Sequence, residues 1–186
     1  MKQELLRALA CLKKGKTLLY PTDTVWGIGC DATDSKAVAE IFKIKQRDES
    51  KSLVILVDGI QMLKDYIVNI PVGLNELLEG SQRPTSIIYQ DPKGLASNVI
   101  AADNTVAIRM VQNDFCRELI RQFGKPIVST SANISGRPTP GSFSEIEAPI
   151  LEAVDYVVNL QRDAVNTTPS RILKLNADGE IVVIRD

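Results

Sequence analysis

Histidine is absent from the 186 residues. That removes the commonest general base, the Ser–His and Cys–His nucleophile arrangements, and the commonest metal ligand. Cysteine is sparse and odd in number: Cys11, Cys30 and Cys116 form no C-x-x-C pair, so neither a disulfide framework nor a metal site is indicated. These thiols are expected as small apolar fillers in a reducing compartment. Aromatic residues make up only 5%, so the core must be aliphatic and there is little surface for stacking bases. No apolar run approaches the ~18–20 residues of a membrane span, and the N-terminal stretch is amphipathic rather than a signal core. A cytoplasmic protein with no membrane association is expected. Neither charge is in excess: 22 Lys+Arg face 23 Asp+Glu, a formal net charge of −1. Proteins that coat duplex nucleic acid carry a clear basic surplus, so that class is disfavoured, although a local cationic site remains compatible. No Walker-type G-x-x-x-x-G-K-[ST] occurs, so a triphosphate would be held by side-chain cations and hydroxyls.

What is present reads as one domain, 1–186, with strands alternating with helices, the pattern of an α/β layer fold. Leu5, Leu6, Leu9 and Ala10 have helical spacing, with Gly15 as the stop. Thr17–Tyr20 is a buried strand ended by Pro21, followed by a glycine-rich return over Gly27–Ala32. Asp34 caps a helix over Ser35–Lys45, and Leu53–Val57 is a second buried strand. Weak helices over Ile60–Tyr66 and Val72–Glu79 precede a strand at Ser86–Tyr89, and residues 91–104 form a loop. A strand at Thr105–Met110, a helix at Phe115–Phe123 and a strand at Pro126–Thr130 follow. A short acidic helix over Ser144–Ala153 leads to strands at Tyr156–Asn159, Arg171–Leu175 and Ile181–Ile184. The closely spaced terminal strands point to a mixed sheet.

Three segments carry the chemistry. Val38, Ile41 and Phe42 form the apolar stripe of the capped helix, and the next stripe position is Lys45. A lysine there must either snorkel outward or face an enclosed anion. Arg47 follows, and Lys51 lies one short loop later; pattern alone also allows a mixed-charge surface loop. The second segment, Pro21–Gly29, sets Thr22, Asp23 and Thr24 directly after a buried strand, where α/β folds place ligands. Trp26, the one tryptophan, could belong to the core or wall a base. In the third, a buried strand runs out into Ser129, Thr130, Ser131 and Asn133, then a Gly/Pro-rich loop; such hydroxyls and backbone N–H groups suit phosphate and carboxylate oxygens. Alternation places Thr105, Ala107 and Arg109 on one strand face, and Arg185 ends the last strand.

Taken together, four blocks resemble the YrdC family in order and spacing over nearly the whole chain. They are Pro21-Thr22-Asp23-Thr24 with Gly27-x-Gly29-x-Asp31-Ala32; Lys45-x-Arg47; Thr105–Arg109; and Ser131-Ala132-Asn133-x-Ser135-Gly136. The resemblance implies a twisted mixed β-sheet flanked by helices around a deep basic cavity, a YrdC/RibB-like α/β fold. It implies a nucleotidyltransferase, the L-threonylcarbamoyladenylate synthase that serves the tRNA modification t6A. The substrates it implies are ATP with Mg2+, L-threonine and bicarbonate; the partners are the downstream threonylcarbamoyl-transfer machinery acting on tRNA, with an RNA contact left open. Carried over by position, Thr24, Arg109, Ser129 and Ser170 are threonine contacts. Arg47, Lys51, Thr105, Ser131, Thr139 and Arg185 are ATP contacts, and Lys45, Arg47, Ser131 and Asn133 form the family's catalytic group; no residue is implied as a metal ligand. Three departures stand out: Leu56 where a histidine is common, Trp26 where tyrosine is usual, and Gln82-Arg83-Pro84-Thr85-Ser86 where the family has Pro-Gly-Pro-x-Thr.

The rival readings are a non-catalytic RNA-binding module on the same fold, and a carbamoyl-transfer domain of the kind found in hydrogenase maturation proteins. The balanced charge and scarce aromatics weigh against the first. The other domains that accompany the second are not in this sequence.

Overall fold

The computed structural model describes residues 1–48, 53–71, 73–74, 78, 83–176 and 179–186. The expected helix over Val72–Glu79 falls mostly outside them, as does Lys51.

Among the described residues, nine strands form one mixed sheet: β1 (Leu18–Tyr20), β2 (Gly27–Gly29), β3 (Val54–Val57), β4 (Thr85–Gln90), β5 (Thr105–Met110), β6 (Ile127–Ser131), β7 (Tyr156–Val157), β8 (Arg171–Leu175) and β9 (Ile181–Arg185). Their order across the sheet is β7-β1-β2-β6-β3-β5-β4-β8-β9. The β7–β1, β3–β5 and β4–β8 pairs are parallel and the others antiparallel. The helices are α1 (Lys2–Leu12), α2 (Ser35–Lys45), α3 (Ile60–Tyr66), α4 (Asp114–Phe123) and α5 (Ala148–Ala153).

Side-chain alternation divides the sheet into two unlike faces. On one, Ile28, Ile55, Val57, Ile87, Val106, Ile108 and Val128 pack against Val38, Ile41 and Phe42 of α2 and Leu63 of α3 in the larger core cluster. On the other, Tyr20, Leu56 and Ile127 meet Leu5, Leu9 and Leu12 of α1 and Phe115, Leu119 and Ile120 of α4. These helices cover only part of that second face. Val54, Ala107, Arg109, Ser129 and Ser131 occupy the rest of it and line a cavity.

Local chemistry explains the element ends. The Asp34 carboxylate accepts from the Lys36 and Ala37 N–H groups at 2.9 and 3.3 Å, the expected N-cap. At the other end of α2, Gln46 adopts φ 49°, and the Arg47 and Gln46 N–H groups return to the Phe42 and Lys43 carbonyls. This left-handed cap turns the chain sharply.

Two expectations need correction. The Gly27–Ala32 return contains a strand, β2, too short at three residues to display a period. The helix expected over Ser144–Ala153 is split into a 3₁₀ turn, Phe143–Glu145, and α5, because Pro149 has no N–H to donate and sits in the first turn of α5.

Candidate active site

The cavity has a volume of about 550 Å³ and lies over the β2-β6-β3-β5 part of the sheet, closed at one side by β8 and β9. Of the residues expected at the site, Thr24, Arg47, Arg109, Ser129, Ser131, Thr139, Ser170 and Arg185 line it. Segments far apart in sequence therefore converge, as expected. Among the described lining residues three are arginines and none is acidic, so the cavity suits anions.

Lys45 does not take the outward course its helical position allowed. It is 1% exposed and does not snorkel, and it is turned to backbone oxygens of its own chain. Its Nζ donates to the Ser131 carbonyl at 2.5 Å and the Asn133 carbonyl at 2.7 Å, with Asn133 Oδ1 at 3.5 Å. Three N–H bonds meet three acceptors, on the last residue of β6 and on the turn that follows it. Burial, and then the neighbouring Arg47 charge, push the Lys45 pKa down to about 8. At pH 7 it remains the ammonium that this arrangement requires.

Asn133 completes the turn. Its Nδ2 donates to the Ile134 and Arg137 carbonyls at 3.1 and 2.7 Å, and its Oδ1 receives the Ser131 hydroxyl at 2.5 Å. The Ser131 proton is thereby committed, and its lone pairs are left for a donor. Lys45 and Asn133 stand behind Ser131 and hold it, whereas Arg47, two residues past Lys45, reaches the cavity itself.

A similar argument fixes the hydroxyl of Thr24. Thr22 Oγ1 lies 2.7 Å from the Val25 carbonyl, which can only accept, so Thr22 donates there. The 3.0 Å contact between the two threonine hydroxyls then takes its proton from Thr24. Thr24 offers acceptor lone pairs to the cavity, a match for an N–H or O–H on a ligand.

Arg109 is 4% exposed and pairs with Asp23 at 3.0 Å. Asp23 was visible in the sequence only as the middle of a polar triplet. Its role could not be read there, because Arg109 is distant along the chain. Ser86, opposite Arg109 in the β4–β5 register, shares a 3.0 Å hydroxyl contact with Ser170. Arg185 Nη2 donates to the Ser170 carbonyl at 2.7 Å, tying the last strand to the wall.

Thr105 lies on the same face as Ala107 and Arg109, but at the far end of β5, and its hydroxyl donates to Asp103 at 2.7 Å. Trp26 is 4% exposed, packs tilted at 56° against Phe143 with ring centres 4.9 Å apart, and lines the cavity. Leu56 is fully buried directly opposite Arg109 in the β3–β5 register, packed with the α1–α4 cluster beneath the cavity. Close approach explains the glycines of β2. A Cβ on Gly27 would stand 3.0 Å from Ser129 Oγ, and one on Gly29 would meet the Val128 carbonyl at 2.2 Å.

A protein-family model spanning Sua5, YciO and YrdC, described as telomere recombination, matches residues 10–186. A protein of Pseudoalteromonas translucida (strain TAC 125) named threonylcarbamoyl-AMP synthase is 33% identical over 168 residues, 89% of this chain and 89% of that protein. Sua5 of P. abyssi complexed with L-threonine superposes with a TM-score of 0.88 at 24% identity, covering 100% of this chain but 54% of the other. This chain thus spans about half the length of that protein. E. coli YciO superposes with a TM-score of 0.86 at 21% identity, covering 100% and 90%. With its four sequence blocks gathered around one cavity on this sheet, the chain belongs to the Sua5/YciO/YrdC family.

Proposed function

We propose that this protein is an ATP-dependent enzyme that condenses L-threonine, carbon dioxide or bicarbonate, and ATP into L-threonylcarbamoyladenylate and pyrophosphate. The observation that carries the reading is the cavity wall, three arginines interleaved with serine and threonine hydroxyls and no histidine. The name of the 33% identical relative supports it over the RNA-binding alternative.

The chemistry needs such a wall. The threonine amine adds to CO2, losing a proton to form a carbamate. A carbamate oxygen attacks the α-phosphorus of ATP, the bond from that phosphorus to the bridging oxygen breaks, and pyrophosphate leaves. Triphosphate, carbamate and carboxylate are all anions, so catalysis consists mainly of bringing like charges together and stabilising the charge that develops. Cationic side chains supply this without a histidine base.

Arg47, Ser131, Thr139 and Arg185 form the phosphate side of the site, to which we also assign Lys51 and Thr105 from the family pattern. Thr24, Arg109, Ser129 and Ser170 form the amino-acid side. Arg109 takes the carboxylate, and the lone pairs of Thr24 accept from the substrate N–H. Among the described residues no group of three acidic or thiol side chains could hold a metal. We assign Mg2+ to ATP, whose phosphate oxygens would bind it and where it would neutralise charge on the leaving pyrophosphate. No helix among the described residues is long and apolar enough to cross a membrane. We place the reaction in the cytoplasm, with the adenylate passed to the enzymes that complete t6A on tRNA. Incubation with ATP, L-threonine, bicarbonate and Mg2+, followed by mass analysis, should reveal a threonylcarbamoyl adduct of AMP; AMP formation with no such adduct would reject the assignment.

A further inference from the structure

We infer that Asp23 is the positioning residue that makes the Arg109 end of the cavity an amino-acid carboxylate site rather than a second phosphate site. The inference rests on the assignment of that end to L-threonine.

The Asp23 side chain is 7% exposed and that of Arg109 is 5% exposed, so their 3.0 Å contact is screened little by water. The contact is close but poorly aligned. Among the described residues, Asp23 Oδ1 receives no well-directed hydrogen bond and the buried Arg109 Nε has no acceptor. The pair therefore keeps donor capacity on a residue that lines the cavity, which is the mark of a site awaiting a ligand or water.

Asp23 also ties together the chain segments around Arg109. Its second oxygen accepts the Gln112 N–H at 3.0 Å, fixing the turn that leaves β5. Its carbonyl accepts Asn166 Nδ2 at 3.3 Å, and Asn166 N–H donates to Gly141 at 2.8 Å. The segment so anchored continues into Thr167 and Ser170 of the cavity wall.

The consequence is electrostatic as well as geometric. With a carboxylate beside it, the Arg109 guanidinium carries little net charge into the cavity. A monoanionic carboxylate next to an amine remains well matched there, whereas a multiply charged phosphate loses most of its attraction. Arg185 contrasts with this, since it donates to the neutral Ser170 carbonyl.

The test is calorimetric titration of L-threonine and of ATP, separately, into the wild-type protein and Asp23→Asn, with KM and kcat measured alongside. Asparagine keeps the shape and an acceptor for Gln112 but removes the charge. L-threonine affinity should fall, and its KM rise, by roughly ten- to a hundredfold, with ATP affinity held within about twofold and kcat changed far less than KM. Wild-type protein that fails to bind L-threonine would overturn the amino-acid assignment itself. Wild-type binding with unchanged affinity in the variant would overturn the role of Asp23 alone. Equal loss of both ligands would overturn it too, by making Asp23 a general support of the fold.

Discussion

Lys45 is bonded to the backbone at the end of β6 and is not among the described residues that line the cavity. It supplies donors to the Ser131 and Asn133 carbonyls and to Asn133 Oδ1, and this backbone presents Ser131. Replacing it with methionine fills the space but takes from the Asn133 carbonyl its lysine donor, a cost of about 1–3 kcal/mol. Displacement of Ser131 should lower kcat/KM by about a hundredfold or more, as read in a steady-state assay, while circular dichroism reports a folded protein. The pH behaviour follows from a pKa lowered from 10.5 to about 8. Between those values the unfolded chain binds the proton and the folded one does not, so this group's contribution to stability rises with pH across the window. The clamp itself weakens as the ammonium loses its third N–H. Activity should therefore decline above a pH of about 8 while the stability of wild type relative to Lys45→Met shifts in favour of wild type. Parallel pH–rate profiles and pH-dependent melts of the two proteins check both signs.

At the scale of elements, local signals transferred from sequence to structure and remote ones did not. The α2 boundaries and the Asp34 cap were legible because they depend on neighbours within one turn. The destination of Lys45 was not, since its partners lie 86 and 88 residues away. The same distance effect hid the Asp23–Arg109 pair, although both residues were in plain view. β2 was missed because its residue choice reflects packing rather than propensity. Gly29 sits under the Tyr20 ring, whose hydroxyl donates to the Val128 carbonyl at 3.0 Å. An added methyl group must displace that backbone, so Gly29→Ala should destabilise the protein by about 3 kcal/mol or more. Chemical denaturation would measure it. A midpoint equal to wild type would show that the strand relaxes without cost.

Across the whole molecule, the function depends on an incomplete layer. One face of the sheet is sealed by α2 and α3, and the other is covered by α1 and α4 over only part of its breadth, leaving polar strand positions facing an open cavity. The alternation of strands and helices announced an α/β fold, but a sequence pattern does not state which half of a face remains uncovered. The three buried thiols add nothing to this site: burial raises the pKa of each, Cys11 to about 11, so they are poor nucleophiles at neutral pH. The near-neutral total charge is reconciled with anionic substrates because only the cavity wall has to be cationic.

The reading of that cavity as a two-substrate site, with phosphates at Arg47 and Arg185 and an amino acid at Arg109, is tested most directly by pyrophosphate release from ATP in the presence of bicarbonate, measured with and without L-threonine. We expect release to require L-threonine and to saturate with it. Pyrophosphate released at the same rate without the amino acid would contradict the account.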